Sequence, residues 1–195
     1  MLICGMANDR RRDRERAERR TLIVATARRL AEEEGWDAVT TRRLSSEIEY
    51  SQPVLYKHFA GMEQIAEAVA VDGFGELAEA IGAADVTTGA SDALARVAHA
   101  YLAFAQANPA VYDAMFTRST TLRFATADTP EQLDAAFARL RHAVGRVARA
   151  DDADTLTEVF WSSLHGLVIL DRAGRLRPGH VTERVALLVD RLVGP

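Results

Sequence analysis

Gln52, Tyr56, Lys57 and His58 stand close together in the stretch SQPVLYKHF, residues 51 to 59. Their side chains reach and hydrogen-bond, so the chemistry they offer is recognition of polar groups. Catalytic patterns are missing elsewhere. There is no G-x-S-x-G, no phosphate-cradling glycine loop and no H-E-x-x-H, which leaves an enzymatic reading without support. His99, His142, His165 and His180 lie far apart, and one cysteine, Cys4, excludes both an internal disulfide and a cysteine-based zinc site. No metal and no cofactor is expected.

The short polar segment needs a support, because a helix of so few residues does not hold alone. Leu55 and Phe59, four apart, can anchor it from behind, while Gln52 and Tyr56 point elsewhere. Ser51 can cap it, and Pro53 is tolerated in its first turn. Just before it, TTRRLSSEI reads as a second short helix, with Thr40 as N-cap and Leu44 and Ile48 on one face. A first helix fits about 13 to 34 and stops at Gly35, with Trp36 folding back on Leu30. Two short helices joined by about three residues have helix-turn-helix spacing. Their polar side could enter a DNA major groove, or the three helices could be another small helical packing.

The 195 residues hold enough apolar side chains for a sizeable core, and Ala, Leu, Arg and Glu dominate. That composition favours an all-α protein. No apolar run approaches the ~18 residues of a membrane span, the N-terminus is a poor signal peptide, and the expected location is cytoplasmic. The net charge of −4 conceals a split. Residues 1 to 60 hold 12 Lys and Arg against 10 Asp and Glu, and the remainder holds 12 against 18. The run RRRDRERAERR, 10 to 20, reads either as a solvated, ion-paired segment or as an arm that seeks phosphate. Residues 1 to 12 are expected to be disordered.

Further helices fit about 62 to 81, 92 to 107, 110 to 116, 131 to 149, 154 to 171 and 180 to 192. The expected organisation is a basic arm over 1 to 12, a helix-turn-helix domain over 13 to 61, and a ligand-binding and dimerisation domain over 62 to 195. Leu156, Phe160, Ser163, Gly166, Leu167 and Leu170 run along one helix, and Val181, Val185, Leu188 and Leu192 along the next. Two such stripes suit an isologous four-helix bundle between two copies, with Gly166 marking the close approach of another helix. Phe104, Tyr112, Met115, Phe116, Phe124, Trp161 and His165 form an aromatic and apolar set. They read either as plain core or as the lining of a cavity for a small, mostly apolar ligand, which His99, Gln106 and His165 would orient.

Residues 20 to 70 resemble the tetracycline-repressor (TetR) family of bacterial regulators. ATARRLAEEEGW, VTTRRLSSEI and SQPVLYKHF carry the likeness. The rear of the chain is similar, through ANPAVYDAMF and FWSSLHGLVIL, to a subgroup with a Trp- or Leu-His-Gly segment. The resemblance implies an N-terminal helix-turn-helix domain, a helical regulatory domain, and a homodimeric repressor that binds a palindromic double-stranded DNA operator. It implies that Thr41 and Arg42 touch phosphate and a base edge, that Gln52 and Pro53 meet bases, and that Tyr56, Lys57 and His58 hold phosphates. Two departures stand out. The family usually has glycine in the turn where this chain has Glu49, and lysine where it has Met62. The competing readings are a helical ligand-binding or scaffold protein without operator binding, and an amphipathic protein whose basic arm rests on an acidic membrane surface.

Overall fold

The computed structural model describes residues 3–85, 89–118, 122–124, 126–148 and 152–194, the first seven of them by backbone alone. Among these residues the secondary structure is helical. The elements are α1 (Ile3–Glu34), a 3-10 turn (Trp36–Ala38), α2 (Thr41–Glu47), α3 (Gln52–Tyr56), α4 (Met62–Ala84), α5 (Ala90–Ala107), α6 (Pro109–Phe116), α7 (Glu131–Gly145), α8 (Ala153–Arg172) and α9 (Val181–Val193). None of the described helices is long and apolar enough to cross a membrane. The connections expected over 82 to 91 and 117 to 130 lie partly outside the described residues, as does residue 149, the expected end of α7.

Of the arm expected over 1 to 12, residues 1 and 2 lie outside the described residues, and α1 begins at Ile3. From residue 6 to 34 no glycine or proline interrupts the chain, and the arginine-rich stretch consists of good helix formers. Glu15 lies between Arg11 and Arg19, at 3.6 and 4.0 Å, one turn away on either side. Such exposed pairs add only a few tenths of a kcal/mol each. Gly35 stops the helix at φ 84°.

The chain divides into two compact units. The first comprises Met1–Gly73 and Pro109–Leu122, and the second Phe74–Asn108 and Arg123–Pro195. The boundary expected at 61/62 is thereby moved, since the first half of α4 and the whole of α6 group with the N-terminal helices. Three features hold α6 there. Both oxygens of the Glu32 carboxylate accept backbone N–H groups at the start of α6, from Ala110 and Val111, each at 3.0 Å. The Trp36 indole N–H donates to the Ala110 carbonyl at 2.8 Å. At Gly73 on α4, an added Cβ would lie 2.4 Å from Val111 Cγ1 and 2.9 Å from Met115 Sδ, so only glycine permits this approach without displacement. Trp36 therefore reaches α6, where the sequence suggests only a fold-back onto Leu30, and Arg118 stacks 4.9 Å from its ring centroid.

In the second unit, α8 packs on α7 and α5, and α9 packs on α5. Thr157, Phe160, Leu164 and Val168 form the buried face of α8, and Val185 and Val189 that of α9. Two of the expected dimer residues are corrected here, since Phe160 and Val185 are fully buried within their own chain. The neighbouring helices select that face because it offers the larger continuous apolar row. The expectation that another helix closes on Gly166 is also corrected within the chain. A Cβ there would meet nothing within 4 Å.

Glu49, between α2 and α3, has φ 57° and is the one non-glycine with positive φ among the described residues. The left-handed conformation costs an ordinary L-residue roughly 1–2 kcal/mol. Glu49→Gly is expected to stabilise the protein by about 1 kcal/mol after glycine's own entropic cost. That corresponds to a rise of about 2–4 °C in the midpoint of thermal unfolding, and no rise would show that the turn is relaxed as it stands.

Candidate nucleic-acid interface

α2 is started by Thr40, whose hydroxyl accepts from the Arg43 N–H at 3.1 Å. This satisfies one of the orphan donors at a helix start and fixes the direction of the element. Its apolar side, Leu44 and then Ile48, is buried, as are Ile23, Ala27 and Leu30 of α1, on which α2 packs. α3 is only five residues long, and Leu55 and Phe59 are buried beneath it. Ser51 occupies the N-cap position with extended backbone, yet its side chain makes no capping bond. The helix is therefore held by its buried anchors and by contacts at its C-terminal end.

Arg20 of α1 supplies the first of these contacts. Its guanidinium lies 4.1 Å from the Phe59 ring centroid and donates to the His58 carbonyl at 2.6 Å. A cation over an aromatic face contributes about 0.5–1 kcal/mol at such an exposed site. Gln64 then accepts the Ala60 N–H at 2.8 Å and fixes the entry into α4. A cavity of about 420 Å³ opens beside these residues, lined by Arg20, Phe59, Gln64, Glu67, Ala68, Val71 and Asp72.

Thr41 and Arg42 open α2. Gln52, Pro53 and Tyr56 lie on α3, while Lys57 and His58 come directly after its last turn. Arg42, Gln52, Pro53, Tyr56 and Lys57 are exposed, with Tyr56 at 54%, while Thr41 and His58 are half-buried. All seven residues proposed from the sequence thus lie on two adjoining helices or just beyond them. Glu47 is ion-paired. Arg29 and Arg43 reach its carboxylate at 2.6 and 3.2 Å, and Arg43 also reaches Glu34 at 3.0 Å. These arginines tie α2 to α1 and offset the negative charge that the sequence places close to the polar face.

Burial lowers the pKa of His58, and the nearby cations Arg16, Arg19, Arg20 and Lys57 lower it further. The imidazole is therefore neutral at pH 7. It can still donate one N–H to an oxygen acceptor, but as a dipole and not as a charge. The three α1 arginines beside it lie in the basic run that the sequence leaves open between a solvated segment and a phosphate-seeking arm.

The rear residues separate between the two units. Met115 and Phe116 belong to the first unit, where Phe116 lies 4.7 Å from Tyr112 between ring centroids. His99, Phe104, Trp161 and His165 belong to the second. There, Trp161 donates its indole N–H to the Tyr101 hydroxyl at 3.2 Å. His165 is half-buried, and burial together with the Arg172 charge lowers its pKa. Glu32, Gly73 and Tyr101 escape sequence reasoning, because their partners lie tens of residues away and leave no local pattern.

Comparison with known proteins agrees with this geometry. Residues 23–69 match the family model described as "Bacterial regulatory proteins, tetR family". Residues 94–194 match "Tetracyclin repressor-like, C-terminal domain". The HTH-type transcriptional regulator Rv0681 of Mycobacterium tuberculosis is 27% identical over 159 residues, which is 80% of this chain and 71% of that protein. A protein of unknown function from Rhodococcus sp. RHA1 superposes with a TM-score of 0.73 at 24% identity, over 89% of this chain and 92% of its own. A TetR variant from Acinetobacter baumannii AYE in complex with minocycline superposes with a TM-score of 0.62 at 16% identity, over 88% of this chain and 92% of its own.

Proposed function

The chain belongs to the tetR family of bacterial regulatory proteins, which are DNA-binding transcriptional regulators and not enzymes, and from this premise we propose that it is a repressor. On this reading it binds a palindromic operator as a homodimer, in the cytoplasm, and a small, mostly apolar effector controls it. We place it in the subgroup with a Leu-His-Gly segment on the strength of Leu164, His165 and Gly166.

The observation that carries the reading is the exposed Gln52, Pro53 and Tyr56 of a five-residue helix, followed directly by exposed Lys57, with Leu55 and Phe59 buried as its anchors. Such a helix is too short to be stable alone, and its bracing leaves the polar side open for a major groove. Gln52 and Pro53 then meet bases, while Tyr56, Lys57, Thr41 and Arg42 hold phosphate or a base edge. His58 takes part as a neutral donor. One such helix reads few base pairs, so two copies on half-sites about one helical turn apart supply the specificity.

The effector reading rests on the aromatic second unit around Trp161 and on the minocycline complex of a structural relative. α4 begins directly after the α3 exit and runs as one helix to Ala84. A ligand that tilts it would change the spacing of the two reading heads, and a hundredfold preference for the shifted state supplies about 2.7 kcal/mol of coupling.

Selection of bound sequences from random DNA tests the proposal. Enriched sites with two-fold symmetry are expected, and no enrichment overturns it. On a selected operator, Gln52→Ala is expected to weaken binding by about 1–3 kcal/mol and to relax the preference at particular base positions. A uniform loss across all sequences would make Gln52 a phosphate contact instead.

A further inference from the structure

The Phe124 ring belongs to no helix. It lies between two aromatic side chains carried by different helices of the second unit. Its centroid is 5.5 Å from that of Phe74 on α4, edge to face at 78°, and 5.4 Å from that of Trp161 on α8, tilted at 54°. Phe74 is buried, whereas Phe124 remains 38% exposed. Phe124 thus packs against two rings and is still partly open to solvent. Trp161 in turn donates to the hydroxyl of the fully buried Tyr101.

The backbone that presents Phe124 is braced separately. The Thr129 hydroxyl accepts from the Thr126 N–H at 2.9 Å and donates to the Arg123 carbonyl at 3.1 Å. The ring can therefore leave by rotating about its own side-chain bonds, while this brace stays in place. Phe124 is already 38% exposed, so such a rotation carries the ring toward solvent.

We propose that the slot between Phe74 and Trp161 is a binding site for a neutral molecule with one flat aromatic ring, and that Phe124 is an internal plug which such a ligand displaces. The proposal rests on the effector reading of the second unit and names the chemistry of that effector. Flatness is set by the slot, because an arriving ring replaces the two aromatic pairs that Phe124 gives up, with the same edge and face geometry. Neutrality is set by its walls. None of Phe74, Tyr101, Phe124 and Trp161 carries a charge, and a desolvated ion would find no counter-ion among them. Because the plug occupies the site in the free protein, apparent affinity is reduced by the fraction of molecules in which it is closed.

The chain has two tryptophans, so full-length protein labelled with 5-fluorotryptophan gives two fluorine resonances, assigned with Trp161→Phe. Toluene is the probe, and methylcyclohexane is the control of similar size without a flat ring. Toluene is expected to shift the Trp161 resonance and leave that of Trp36 unchanged, with methylcyclohexane at least about tenfold weaker. Phe124→Ala is expected to bind toluene about tenfold more tightly than wild type, because no plug has to leave. Phe124→Leu, which keeps the bulk and should fold if the alanine variant does not, is expected to fall between them. Equal or weaker toluene binding by both variants overturns the proposal, as does a shift confined to Trp36. Operator affinity is measured in parallel with and without toluene. A shifted Trp161 with unchanged operator affinity upholds the slot and overturns the effector reading.

Discussion

Val159→Asp should turn the protein into a monomer and lower operator affinity by at least about a hundredfold. Val159 is 50% exposed and Leu170 is 40% exposed, large apolar side chains on a helix whose other face is already buried. Ser163 and Gly166 lie between them, and the spacing of four, three and four residues keeps all four on one side of α8. Leu187 on α9 is 58% exposed as well. On the homodimer reading proposed above, these exposed side chains form the partner site, and a symmetric partner presents the same row back. An aspartate placed there is introduced twice, once on each copy, and both charges lose water in the interface. Operator affinity falls with it because a monomer reads one half-site and forfeits the gain of a linked second event, which ranges over about 10²–10⁴. Gly166→Leu is the matched control. The open space above Gly166 admits the side chain in a single chain, and the helix gains about 1 kcal/mol on losing an interior glycine. The monomer should therefore be stabilised while the dimer is obstructed. Sedimentation velocity reads the assembly directly, and an unchanged dimer for Val159→Asp, Leu187→Asp and Gly166→Leu would place the interface elsewhere.

Glu32→Ala carries the second large effect. Its carboxylate holds the N–H groups of Ala110 and Val111, the first two available at the start of α6, since Pro109 has none. Hydrogen bonds to a charged group contribute about 1.5–3 kcal/mol, and the part-buried donors left behind lose further. The negative charge also suits the positive end of the helix. A loss of about 2–4 kcal/mol is expected, which lowers the midpoint of thermal unfolding by about 5–15 °C in a chain of this size. Glu32→Gln keeps one oxygen acceptor and should lose roughly half as much. Equal losses for both variants would assign the effect to charge alone, and no loss for either would mean that water replaces the cap.

The reading head is legible in the sequence wherever its determinants are local. The Thr40 cap, the four-residue spacing of Leu44 with Ile48 and of Leu55 with Phe59, and the unusual backbone of Glu49 all depend on neighbours within a turn or two. The rear helices are less legible, because α8 is apolar on two sides. Phe160, Leu164 and Val168 make one row, while Val159, Gly166 and Leu170 make another, and both satisfy helical periodicity. Which row is core depends on α5 and α7. That is why periodicity alone assigns Phe160 and Val185 to the dimer surface although they are buried, and why it passes over Val159 and Leu187. The link from Glu32 to α6 spans 78 and 79 positions, and no window of sequence contains both ends.

That link bears on how such proteins can be recombined. A chimera cut at residue 61, at the natural break before α4, would separate Glu32 and Trp36 from the α6 backbone groups they bind here and leave them to the host's own α6. A half-buried carboxylate would then face foreign side chains, and α1 would lose its anchorage at the end nearest α2. A graft that also brings 62 to 73 and 109 to 118 moves the interlocking pieces together, with the glycine at 73 that lets them close. Exchange of DNA specificity between relatives should therefore succeed or fail on two separated segments of sequence, and parts libraries built from contiguous N-terminal blocks would miss the second.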